Sequence, residues 1–94
     1  MATLMRTDGT TSEVHPTGKK FTLKEMYGLI GCTTVEMLTV PGRPFRRMWM
    51  DEEGRLTGKA YNAQASALLA RLHVRTLGAN HIVGDVLVTG AGEV

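Results

Sequence analysis

P-G-R-P-F-R-R-M-W-M-D-E-E-G-R-L-T-G-K-A-Y-N, Pro41 to Asn62, gathers the single tryptophan, two adjacent arginines, three consecutive acids and two turn signals into one short span. Phe45 to Asp51 has the period of a strand, with Phe45, Arg47, Trp49 and Asp51 on one face and Arg46, Met48 and Met50 on the other. Neither face is purely apolar, whereas a strand that only supports a core has one uniformly apolar face. Pro41-Gly42-Arg43-Pro44 before it and Asp51-Glu52-Glu53-Gly54 after it are turn chemistry, with Gly54 placed to take a positive φ. A strand that enters and leaves by tight turns belongs in the middle of an antiparallel sheet.

Upstream, Ala2 to Thr7 and Thr11 to His15 are short extended runs separated by Asp8-Gly9-Thr10, which predicts an opening hairpin over 2–15. Thr22 followed three residues later by Glu25 is a capping box, and Phe21 with Met26 is its hydrophobic staple, so a helix starts at Thr22. Leu23, Met26, Tyr27 and Ile30 share its apolar face, Gly31 is its left-handed cap, and Gly28 marks a close approach to the sheet. Thr33 to Val40 alternates as a strand and forms a second hairpin with the Phe45 strand.

Downstream, Arg55 to Lys59 is an extended return bent at Gly58, and Asn62 caps a second helix rich in alanine, from Ala63 through Ala65, Ala67, Leu68, Leu69 and Ala70 to Leu72. That helix is over by Gly78. His81 to Thr89, the most apolar strand, is central, and Ala91 to Val94 is a small polar tail. The expectation is one α+β domain over 1–94: an antiparallel or mixed sheet of about five strands with two helices packed on one face.

At 94 residues the core is modest, which favours a homo-oligomer. A net charge of +2, from 11 basic and 9 acidic residues, lacks the basic stripe of a nucleic-acid binder. The single Cys32 forms no internal disulfide, no Cys/His cluster suits a metal, and no apolar run is long enough for a membrane span, so a soluble, cytoplasmic protein is expected.

Taken together, D-E-E-G-R-L-x-G at Asp51 to Gly58, N-x-x-A-x-x-L at Asn62 to Leu68 and I-V-G-D-V-L-V at Ile82 to Val88 carry a likeness. Over residues 22–90 the chain resembles a family of small domains of unknown function found in phages, plasmids and actinobacterial mobile elements. The resemblance implies a mobile-element accessory protein that works in the host cytoplasm and acts on the host, for example by sequestering a nucleotide immune signal.

No nucleophile–base pair, paired carboxylates or phosphate loop is present, and His15, His73 and His81 lie in different elements, so no catalytic residue, cofactor or enzyme activity is expected. The expected ligand-binding residues are Arg47 on phosphate, Trp49 or Tyr61 stacked on a base, and Asn62 and Asp85 on ribose or base edges. Each has a plainer role: Arg47 and Trp49 on a solvated strand edge with the tryptophan half-buried, Tyr61 in the core or at a pocket rim, Asn62 as helix cap, Asp85 pairing with an arginine such as Arg71 or capping a loop. Gly84 beside Asp85 signals a bulge or a close ligand. Asp51-Glu52-Glu53 is a solvated turn, and Cys32 a structural thiol. The leading expectation is a protein that binds and sequesters a phosphate-bearing nucleotide, countering host defence. The alternative is a protein-interaction module that inhibits or recruits a host protein through an Arg/Trp/Met surface.

Overall fold

The computed structural model describes residues 2–40, 46–71, 82–90 and 92–94. The expected proline turn with Phe45, the end of the second helix with Leu72, His73 and Gly78, and His81 and Ala91 lie outside the described residues. The elements are β1 (Ala2–Met5), β2 (Thr11–Val14), α1 (Leu23–Ile30), β3 (Val35–Val40), β4 (Arg46–Asp51), α2 (Ala63–Arg71) and β5 (Val86–Gly90). The strands make one five-stranded sheet in the order β2-β1-β5-β4-β3, with every pairing antiparallel. The α+β class and the central position of the most apolar strand are as the sequence predicts.

Local chemistry accounts for the elements. Asp8 Oδ1 accepts from the Thr10 amide and hydroxyl and Gly9 takes φ +90, closing the β1–β2 hairpin. The capping box is complete: Thr22 Oγ1 accepts from the Glu25 amide, and Glu25 Oε1 accepts from the Thr22 amide. Glu25 Oε2 also takes the Thr17 amide and hydroxyl, so one carboxylate fixes both the helix start and the loop before it. Hydrogen bonds from Thr17, then Thr22, hold the Glu25 carboxyl below the usual range. Phe21 and Met26 meet in the core, and Gly31 caps α1 in the left-handed region.

Four expectations are corrected. The helices cover opposite faces of the sheet, not one. Ala65, Leu68 and Leu69 of α2 pack with Val40, Met48, Met50, Val86 and Val88, whereas Met26 and Ile30 of α1 pack with Ala2, Leu87 and Trp49. The reason lies in β5, where Val86, Leu87 and Val88 are all buried: a strand apolar on both faces must be covered on both. Gly28 is exposed with open space around it, because α1 turns Met26 and Ile30 to the sheet and Gly28 to solvent. Residues 52–58 are a run of tight turns instead of an extended return, with Thr57 N–H donating to Glu53 O and Lys59 N–H to Gly54 O. Finally, the tail is docked: the Phe21 amide donates to Glu93 O, Glu93 Oε1 takes the Gly90 amide, and Val94 packs beside Phe21.

Candidate functional site

The turn after β4 and the start of β5 meet at one end of the sheet, and the chemistry there is built around Lys59. Its ammonium lies 2.9 Å from Asp51 Oδ2 and donates to Gly31 O at 2.7 Å, at the C-terminus of α1. Carbonyls at a helix C-terminus favour a cation, so Lys59 closes α1 electrostatically while neutralising Asp51. Asp51 Oδ1 takes the Glu53 amide, and Glu53 Oε1 takes the Thr34 hydroxyl. The acidic triplet therefore organises its own turn. Burial pushes the Asp51 carboxyl up, but the hydrogen bonds from Lys59 and Glu53 outweigh it, and the group ends below its ordinary value. Burial and the nearby Asp51 charge push the Cys32 thiol up.

The two glycines here answer different needs, backbone conformation at Gly84 and room at Gly54. Gly84 has φ +77, and a Cβ built on it would sit 2.8 Å from Lys59 Cδ, so the close neighbour is the lysine stem of this same chain. Gly54 is absent from the positive-φ positions; a Cβ there would meet Val83 at 3.0 Å, so this turn needs a glycine for room.

Two hollows flank Lys59. One of ≈ 200 Å³ is bounded by Thr7, Ile30, Ala60, Gly84 and Asp85, and one of ≈ 360 Å³ by Gly31, Cys32, Thr33, Asp51, Glu53 and Thr57. Their common cation is already paired and their other charges are carboxylates, a poor setting for phosphate. Among the described residues no three His, Cys, Asp or Glu side chains cluster as metal ligands.

The five residues singled out from the sequence do not converge. Arg47 is half-buried opposite Thr89, and Trp49 donates from Nε1 to the buried Thr89 hydroxyl at 3.0 Å while its ring packs on the α1 side of the core. The indole is thus half-buried, as its plainer role has it, but β4 is an inner strand of the sheet and not a solvated edge. Four residues before Thr89, about 13 Å away along an extended chain and just ahead of β5, lies Asp85, whose Oδ1 caps the Thr7 amide at 2.9 Å. Tyr61 is half-exposed beside it, bridged to Val83. Asn62 is fully buried: Oδ1 caps α2 through the Ala65 amide, and Nδ2 donates to Met5 O and Gly84 O. With both amide hydrogens and the oxygen engaged, Asn62 is a structural hub.

Two functional residues of the fold escaped the sequence reading. Lys59 carries no motif. Ser66, buried, accepts from the Ile82 amide and pins that segment to α2; its signal was a lone hydroxyl inside an alanine and leucine stripe.

The described geometry defines a small antiparallel α+β domain with one helix on each sheet face and no helix among the described residues long and apolar enough to cross a membrane. The chain belongs to the family DUF3846, a domain of unknown function, whose profile matches residues 1–94. No curated protein and no solved structure matches it.

Proposed function

We propose that this chain is a non-enzymatic accessory protein of a mobile element, phage-type in origin, that acts in the host cytoplasm as a protein-interaction module inhibiting or recruiting a host protein. The observation that carries this reading is the outer edge of β3. Among the described residues β3 has a strand neighbour on one side only, and Glu36, Met37 and Thr39 are exposed along it. Along this six-residue strand the backbone groups of Val35, Met37 and Thr39 form a template onto which an extended segment of another polypeptide adds as a strand. The nucleotide-sequestration alternative draws less support: Trp49 and Asn62 are engaged inside the fold, Arg47 and Asp85 lie far apart, and the hollows carry carboxylates.

The test compares the wild-type chain with Met37→Pro and Arg47→Ala, each purified from host cells, with small molecules extracted from the denatured protein in parallel. A host protein retained by wild type and by Arg47→Ala, lost with Met37→Pro, and protecting the Val35, Met37 and Thr39 amides from exchange supports strand addition. A retained nucleotide lost with Arg47→Ala, with no protein partner, overturns it.

A further inference from the structure

We infer that the β3 edge is closed by a second copy of this chain, two β3 strands pairing antiparallel about a two-fold axis with Met37 opposite Met37, until a partner strand displaces it. This rests on the reading of β3 as the docking edge and names what occupies that edge at rest.

The ladder fixes the register. The Glu52 amide donates to Thr34 O at 3.3 Å, continuing the pairing that sets Val35 opposite Asp51. In an antiparallel pair, residues that exchange hydrogen bonds alternate with residues that do not. Glu36, Leu38 and Val40 therefore point their N–H and C=O groups at β4, and Val35, Met37 and Thr39 point theirs off the edge. Two copies use all three only when Met37 faces Met37 and Val35 faces Thr39, which gives about six hydrogen bonds, two per bonded pair. Centring the pair on Leu38 instead leaves Val35 unmatched within the strand.

Side chains fit the same register. Met37, 43% exposed in one copy, meets an apolar equal on the α1 side of the sheet. Glu36, the only charged residue of β3, faces Leu38 of the second copy, so no like charges are opposed. Val35 and Thr39 form a β-branched pair.

The other edge is built differently. β2 has four residues, points only Thr11 and Glu13 outward by the same alternation, carries the Glu13–His15 pair at 3.0 Å and runs into Pro16. It is a shorter edge whose outward residues include a charged one, as proteins use to discourage pairing, whereas the three outward residues of β3, Val35, Met37 and Thr39, carry no charge.

The experiment uses the full chain. Sedimentation equilibrium is expected to give a dimer for wild type and a monomer for Met37→Pro, with the far-ultraviolet dichroism unchanged because proline is tolerated where the lost N–H faces outward. In a Cys32→Ser background, Met37→Cys is expected to oxidise to a linked dimer, since bonded pairs place Cα atoms about 5.5 Å apart, within disulfide reach. Thr39→Cys, about 13 Å from its own copy, is not. A synthetic peptide of residues 33–40 in excess is expected to dissociate the dimer. A wild-type monomer with no linked Met37→Cys dimer overturns the second copy. If Met37→Pro then still abolishes binding of a host protein, the interaction reading stands; if it does not, both fall. A dimer that survives Met37→Pro, or that links through Thr39→Cys, overturns the register.

Discussion

The two faces of the sheet are held by different chemistry. The α2 face is joined by buried polar anchors: Asn62 ties α2 to β1 and to the approach of β5, and Ser66 ties it to Ile82. The α1 face is joined at its margins, by the capping box and staple at one end of the helix, by Lys59 at the other, and by an apolar patch around Leu87 between them. Buried hydrogen bonds to backbone groups cost far more when half removed than exposed caps do, since the abandoned group stays without water. The α2 face should therefore be brittle to single changes, and the α1 face graded.

Asn62→Ala tests the brittle side. It removes the cap of α2 and deserts the Met5 and Gly84 carbonyls, so the loss expected in urea unfolding is about 3–5 kcal/mol. A cost no greater than that of a surface cap would erase the contrast between faces. On the α1 side, Lys59→Ala leaves the largely buried Asp51 carboxylate with the Glu53 amide but no counter-charge. A loss of about 2–3 kcal/mol is expected, below the range for fully buried pairs because Lys59 is partly exposed.

Proton linkage sharpens the same point. Asp51 and Glu25 both have carboxyls held below their ordinary values of 3.8 and 4.5. Their contribution is present above those values and is lost as pH falls through the lower folded ones. Stability measured against pH should fall in that acid window. Replacing Asp51 with Asn should flatten the limb, and an unchanged limb would count against the Lys59–Asp51 pairing.

Smaller effects lie at the exposed face of α1. Thr22→Ala is expected to cost about 1 kcal/mol by losing the cap. Gly28→Ala should raise stability by about 0.5–1 kcal/mol, since the added methyl meets open space and alanine favours the helix. A melting temperature lowered by Gly28→Ala would place that turn of α1 against something.

What was legible in the sequence was local. The Asp8-Gly9 hairpin, the Thr22–Glu25 box, the Gly31 cap, the Asn62 cap and the strand periods each depend on residues a few positions apart, and each is found. What was missed depends on distance along the chain. Lys59 finds its acceptor at Gly31, and the Asn62 amide reaches Met5, 57 residues away; no spacing rule announces either. The placement of both helices on one face overlooked a clue that was available, because an apolar run through Val86, Leu87 and Val88 leaves no face of the central strand for solvent. The candidate site was least legible. Arg47, Trp49 and Asp85 are suggestive by residue type, but in a strand the type does not say whether a polar atom meets a ligand or, as with the Trp49 indole and Thr89, a neighbour.

Among the described strands β5 comes last in sequence and sits in the middle of the sheet. Without β5, β1 has only β2 to pair with and β3 only β4, so the sheet divides into two separate hairpins. Isolated hairpins are marginal in water. Both faces of the core, with the Trp49–Thr89 and Asn62–Gly84 bonds, wait for the final strand to slot between β1 and β4. Assembly of this sheet thus waits on contacts of long sequence separation, and until β5 docks, the edges of β1 and β4 that will meet it are as open as that of β3.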